Sequence, residues 1–204
     1  MSAAVLKIKE QLHDFSIHIE AGCEEMYLAM RDMRPVFSAA DLARASGATE
    51  GAALFYLTRL NKRGIVPSAG MSTDRQPLFG KPKLQITPIV LDQDGSLSLD
   101  FTRRQSMWTA LRALRTFTVS ELFDIVCQHV KIDRPMVNTY IDRLAKANYL
   151  TRTPSEDGDE DGFMLRTSMD TGRIAPKLCE AELVFDISRR AFFGRGVARE
   201  VALA

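Results

Sequence analysis

The residues with most to offer chemically lie on and beside 134–148, RPMVNTYIDRLAKAN. An Arg can hold guanine and an Asn can hold adenine through paired hydrogen bonds in a major groove, while Lys and Arg grip phosphates by charge. On that chemistry Arg134, Met136, Asn138 and Thr139 are candidates to face base edges. Arg104, Arg143 and Lys146 are candidates to face phosphates. Between residues 102 and 153 nine basic residues stand against four acidic ones, which leaves a local excess of +5. The whole chain has a formal net charge of only +1, so any attraction to nucleic acid rests on this local patch. The competing reading is a solvated helix face whose long cations lie along apolar surface.

Other chemistries find less support. Residues 155–162, SEDGDEDG, carry five carboxylates and no cation. Asp157, Asp159, Asp161 and Gly162 match the opening of a calcium loop, but the twelfth position is Ser168 where a bidentate Glu is needed. A solvated hairpin tip is the expectation, with no metal. Five carboxylates there would also be repelled by phosphates. His13, His18 and Cys23 lack paired ligand spacing. Cys23, Cys127 and Cys179 form no close pair and read as small buried hydrophobes. The chain has no phosphate-cradling glycine loop, no H-E-x-x-H and no G-x-S-x-G, so neither a cofactor nor an enzyme is expected.

The elements that must position the 134–148 residues are legible. Residues 107–114 place Trp108, Leu111 and Leu114 at helical spacing. Thr118-Val119-Ser120-Glu121 is a capping box that opens a second helix. A third helix starts behind Asp133, a good N-cap, with Pro135 in its first turn. There Val137, Ile141 and Leu144 form one apolar face. The outline is a helix-turn-helix unit.

The same outline occurs earlier in the chain. Met26-Tyr27-Leu28-Ala29-Met30-Arg31 matches Met107-Trp108-Thr109-Ala110-Leu111-Arg112 in type at nearly every position. Ser38-Ala39-Ala40-Asp41-Leu42 lies over Thr118-Val119-Ser120-Glu121-Leu122. Tyr56-Leu57-Thr58-Arg59-Leu60 lies over Tyr140-Ile141-Asp142-Arg143-Leu144. Gly64 and Asn148 fall at the same place, where a left-handed C-terminal cap wants Gly or Asn. The pattern reads as a tandem repeat of one helical unit.

On these residues each half resembles a winged helix-turn-helix domain of bacterial and phage regulators. The second copy, with M-W-x-A-L-R-x-L-R-x-F-T and then Y-x-x-x-L-x-x-x-x-Y-L, resembles small winged-helix proteins encoded by Mu-like prophages. The resemblance implies a mainly α fold with small β-hairpins (α+β), two winged-helix-like domains in tandem. It implies a transcriptional regulator that reads double-stranded DNA through the second recognition helix. Winged helices also serve as docking and dimerisation modules, so the alternative is a protein–protein adaptor or scaffold that binds no DNA.

The first copy's outward positions, Glu50, Ala52, Leu54 and Phe55, offer little to base edges. Leu54 and Phe55 are therefore candidates for a protein contact, with the second unit, a twin chain or another protein. A two-fold homodimer would suit a pseudo-palindromic site. The first wing is expected as a hairpin of 85–91 and 96–101 around the turn 92–95, after a linker at 67–83. The second wing is expected from 149–153 and 163–167. At the N-terminus Ile8, Leu12, Phe15 and Ile19 favour an amphipathic helix over 1–20, although Phe15, Ile17 and Ile19 also alternate as a strand would. Residues 181–190 suit either helix or strand, and Arg189, Arg190, Arg195 and Arg199 make the tail basic. The expected division is 1–101, 102–170 and a C-terminal extension 171–204. No apolar run approaches the roughly 20 residues of a membrane span, and no secretion signal opens the chain. A cytoplasmic protein without membrane contact is expected.

Overall fold

A computed structural model of the protein describes residues 16–19, 21–82, 87–154, 161–186 and 191–202. Its local structure follows from the caps. After strand β1 (Ser16–Ile19) come helix α1 (Cys23–Asp32), strand β2 (Val36–Ser38), helices α2 (Ala39–Ser46) and α3 (Glu50–Lys62), and strands β3 (Ser68–Met71) and β4 (Pro77–Gly80). Helix α4 (Leu99–Leu114) then leads to β5 (Thr116–Thr118), α5 (Val119–Val126), α6 (Arg134–Lys146), β6 (Leu150–Thr153) and β7 (Gly162–Leu165). A 3-10 turn (Thr167–Met169) precedes β8 (Cys179–Asp186) and β9 (Ala191–Glu200). The described residues thus make an α+β structure of six α-helices and small three-stranded sheets.

Both expected capping boxes form. The Asp41 N–H donates to Ser38 Oγ at 3.2 Å while the Ser38 N–H donates to Asp41 Oδ2 at 3.0 Å. Thr118 and Glu121 repeat the exchange at 3.1 and 2.8 Å. Each box satisfies free donors at a helix start and fixes the turn between strand and helix. At the far ends, Gly64 (φ 70°) and Asn148 (φ 62°) are left-handed. Beyond them Ile65 N–H bonds Leu60 C=O and Tyr149 N–H bonds Leu144 C=O at 3.0 and 2.9 Å, the closure that ends a helix with a left-handed residue.

The repeat extends to topology and core. One sheet has the order β2-β4-β3 and another the order β5-β7-β6. Phe37 lies opposite Phe79, and Phe117 opposite Phe163. Each half encloses its own cluster. Met26, Tyr27, Met30, Leu42, Tyr56, Leu57 and Leu60 are buried in the first, and Met107, Trp108, Leu111, Leu122, Tyr140, Ile141 and Leu144 occupy the equivalent places in the second. Strand β1 with Cys179–Val201 forms one compact unit, and Ala21–Leu178, which holds both repeats, belongs to another. The expected boundaries at 101/102 and 170/171 do not separate these units.

Four expectations are corrected. Within the expected linker at 67–83, residues 68–80 supply the first half's hairpin, β3 and β4, closed by Ser72 to Arg75 with Arg75 left-handed (φ 58°). They read as a linker because β3 is exposed throughout and has no alternating apolar face; pairing with β4, whose Phe79 is buried, makes it a strand. Residues 85–91 and 96–101 do not form that wing. Part of the first stretch, 85–86, lies outside the described residues; among those described Leu91 and Leu97 make an isolated bridge, and Ser98 accepts from the Phe101 N–H to start α4. The turn they flank lies back on α3: Gly95 (φ 84°) sits against the Arg59 side chain, and Arg63 Nη2 donates to its carbonyl at 2.7 Å. A Cβ at Gly95 would be both left-handed and crowded.

The expected N-terminal helix is a strand where it is described. Ser16 to Ile19 pair in parallel with Arg195 to Ala198 of β9, a long-range partner that local spacing cannot reveal. The rest of that expectation, 1–15 and Glu20, lies outside the described residues. The open choice for the tail falls to strand, since β8 and β9 pair antiparallel. The cysteines also differ from expectation. Cys127 is exposed, and Cys23 and Cys179 are only partly covered. Among the described residues no helix is long and apolar enough to cross a membrane.

Because the two cores are separate clusters, Leu111, fully buried on α4, stabilises the second half directly. Leu111→Ala is expected to cost about 2–5 kcal/mol. Urea unfolding followed by fluorescence of Trp108, the single Trp of the chain, measures it. A midpoint unchanged from the parent would contradict this packing.

Candidate nucleic-acid interface

Helix α6 is held from its inner side. The Met136 N–H donates to the capping Asp133 Oδ1 at 3.0 Å, Pro135 occupies a position where no donor is needed, and Val137, Tyr140, Ile141 and Leu144 are buried. The opposite flank therefore faces solvent. Arg134, Asn138, Arg143 and Lys146 are exposed, while Thr139 is half-buried and Met136 packs against the core. The structure thus brings most of the expected set onto one helix surface.

Arg134 and Met136 have further contacts. Arg134 Nη1 donates to Ser120 Oγ of α5 at 2.9 Å, and its guanidinium lies 5.2 Å from the centre of the Phe123 ring. These contacts hold it at the start of α6 instead of leaving it to wave in solvent. Met136 is a support for the helix more than a contact on its outer face.

Arg104 is a correction. It lies on the buried side of α4 with Phe101, Met107, Trp108 and Leu111, and its side chain is 4% exposed. Its Nη2 donates to both carboxylate oxygens of Glu24 at 3.1 and 3.0 Å. It cannot face a phosphate. Had α4 been started at the Ser98 cap, the spacing Phe101, Arg104, Trp108, Leu111 would have placed Arg104 on the apolar face.

The local charge excess shrinks for the same reason. Arg103 pairs with Asp100 at 3.2 Å, Arg112 and Arg115 both pair with Asp170, and Arg152 reaches Asp142 at 3.6 Å. Glu24, Asp100 and Asp170 lie outside the 102–153 stretch, so a count along the chain misses them. Other exposed cations of the patch lie on α6 and at Lys131 before it.

The acidic tip at 155–160 lies outside the described residues. Gly162, which matches the turn position of a calcium loop in sequence, is the first residue of β7 and pairs with Thr118 and Thr153. In the first half the equivalent helix surface is different in kind. Leu54 is 37% and Phe55 43% exposed, and Arg59 lies 5.0 Å from the centre of the Phe55 ring. A cleft of about 350 Å³ beside Leu54 is lined by Asp41, Glu50 and Asp74 with Arg34, which pairs with Asp41 at 3.1 Å, so its net charge disfavours a phosphate.

The sequence did not disclose what joins the two halves. After the second hairpin, residues 172–178 run back across α4 and α6. Gln105 Nε2 donates to Arg173 C=O and Gln105 Oε1 accepts from Ala175 N–H, at 2.8 and 3.1 Å. Tyr140 Oη donates to Pro176 C=O at 3.4 Å, as Tyr56 Oη donates to Ile89 C=O in the first half. Burial pushes both phenols well above their ordinary range. This return segment presents Lys177, whose Nζ lies 2.9 Å from Glu24 Oε2 and from Glu25 Oε2. Glu25 also accepts the Gly22 N–H at 2.8 Å. Burial works to raise the Glu25 carboxyl, but the hydrogen bond and charge of Lys177 outweigh it and hold it below its ordinary value.

Neither the protein-family models nor the curated proteins give a match to this chain.

Removing either partner of the buried pair leaves the other charge undercompensated, Arg104 without its Glu24 carboxylate and Glu24 with Lys177 in place of two cations. Glu24→Leu and Arg104→Leu are each expected to cost about 3–5 kcal/mol, and the double replacement to recover much of that loss. Denaturant titration of the three variants distinguishes this from a phosphate-binding Arg104, whose loss would leave stability unchanged. Glu25, Asp41 and Asp170 are all held below their ordinary values, Asp41 chiefly by the Ser38 N–H and Asp170 by Arg112. A depressed carboxyl stabilises the fold above its unfolded value and loses that contribution as pH falls through the folded one. The melting temperature is expected to drop below about pH 4, near the unperturbed values of Asp and Glu. A melting curve unchanged down to acid pH would show that these contacts contribute nothing.

Proposed function

We propose that the protein is a DNA-binding regulator of the bacterial or phage type, built from two winged helix-turn-helix modules, and that α6 of the second module enters a major groove. Support for the fold reading comes from the order helix, short strand, helix, helix, hairpin, found in both halves with equivalent caps and equivalent sheet pairing. The observation that carries the functional reading is the outer flank of α6, where Arg134, Asn138, Arg143 and Lys146 are exposed on a helix fixed from behind.

In this reading Asn138 pairs with an adenine edge, and Arg134, at the first turn, reaches a guanine. Arg143 and Lys146 take phosphates further along the helix. Thr139 adds a short contact between the two groups. Arg104 takes no part, because its charge is spent on Glu24. The first module has Leu54 and Phe55 where the second has Asn138 and Thr139, so it reads no bases.

A second reading has its own observation. The exposed Leu54 and Phe55 suit a protein contact better than water, so the chain would be an adaptor whose α3 docks a partner and whose α6 is merely solvated.

A salt titration separates the two. Under the first reading, affinity for duplex DNA falls steeply with salt, and Arg143→Ala with Lys146→Ala lowers the logarithmic slope by about 2. Asn138→Ala leaves that slope alone and loses about 1–3 kcal/mol of discrimination at one base pair. Absence of any salt-dependent duplex binding would rule out DNA recognition through α6.

A further inference from the structure

We propose that α3 is a two-fold dimerisation element, on which a second copy of this chain lays its own α3 antiparallel. The outer face of the helix runs Gly51, Leu54, Phe55, Thr58 and Lys62, a spacing that gathers these residues into one stripe. Leu54 and Phe55 are its exposed apolar centre. Gly51 and Thr58 on either side are small enough to let a second helix approach closely. Leu54 also lines the cleft shared with Ser72 and Gln76, so the surface continues from α3 onto the β3–β4 hairpin. That continuation supplies area that a single pair of short helices lacks, since stable interfaces bury about 1,200 Å² or more.

Charge selects the occupant. Glu50 is the first residue of α3 and Lys62 the last, and Arg59 strengthens the positive end. Both Glu50 and Lys62 are exposed, and among the described residues neither makes an ion pair within the chain. In an antiparallel pair of identical helices the first residue of each lies beside the last residue of the other. A two-fold axis through the middle of the helix therefore brings Glu50 to Lys62 twice, whereas a parallel pairing would set like charge on like charge. The positive start of one helix dipole also meets the negative end of the other. The stripe is complementary to itself and needs no other partner. This inference is independent of DNA binding, because α3 and α6 are different helices.

Sedimentation equilibrium of the full chain across the micromolar range is the test. The mass is expected to rise with concentration from 22.8 kDa towards twice that value. Leu54→Glu is expected to weaken association at least about tenfold, or about 1.4 kcal/mol. Glu50→Lys and Lys62→Glu should each weaken it, and the double exchange should restore it, because only the charge order is reversed. Circular dichroism confirms that each variant is folded. If Leu54→Glu does not fold, the charge exchange alone decides. A chain that stays at 22.8 kDa at every concentration, a dimer indifferent to Leu54→Glu, or a double exchange weaker than both single ones would each overturn the proposal.

Discussion

A guanidinium and a carboxylate, each nearly removed from water, face one another between the two halves of the repeat. Arg104 and Glu24 come from α4 and α1 and are both 4% exposed. Burying either alone costs several kcal/mol, and their attraction offsets this only when the geometry is good. The pair is therefore a poor source of net stability and a strict condition on placement. Each half has its own apolar cluster, and such clusters are tolerant of how they sit beside one another. The ion pair is not, and Lys177 makes the arrangement stricter by bridging Glu24 and Glu25 from the return segment.

The repeat shows how one scaffold can be given two surfaces. The inward positions match in both copies, with Tyr56 and Tyr140 each sending a hydroxyl to a carbonyl of the segment that follows the hairpin. The outward positions have no such constraint. On α3 they are Leu54, Phe55 and Thr58, and on α6 they are Asn138, Thr139 and Asp142. A helix fixed from behind by four buried side chains can change its exposed residues without disturbing the core. The proposed division of labour, contact through α3 and nucleic acid through α6, follows from that freedom.

Much of the local structure was legible because its causes are local. Capping boxes, a Pro in the first turn, Gly or Asn after the last turn and apolar spacing all act within a few residues, and each produced the element it implied. The first hairpin was missed because β3, Ser-Ala-Gly-Met, owes its conformation to β4 and has no pattern of its own. Strand β1 was misread for a similar reason, since its partner β9 lies at the other end of the chain. The candidate site was legible in part: Arg134, Asn138, Arg143 and Lys146 are exposed as expected, whereas Arg104 is not.

The sequence by itself determined the repeat, the helix starts behind Ser38, Thr118 and Asp133, the inner face of α6 and the contrast between the outer faces of α3 and α6. All of these depend on residue type and short spacing. Only the tertiary structure decided which charges are available. Arg104, Arg112 and Arg115 count as available cations along the chain, but Glu24 and Asp170 reach them from distant segments. Coulomb attraction acts through space and takes no account of separation in sequence. A net charge counted along a stretch therefore describes what the stretch contains, and the fold determines how much of it remains for a partner.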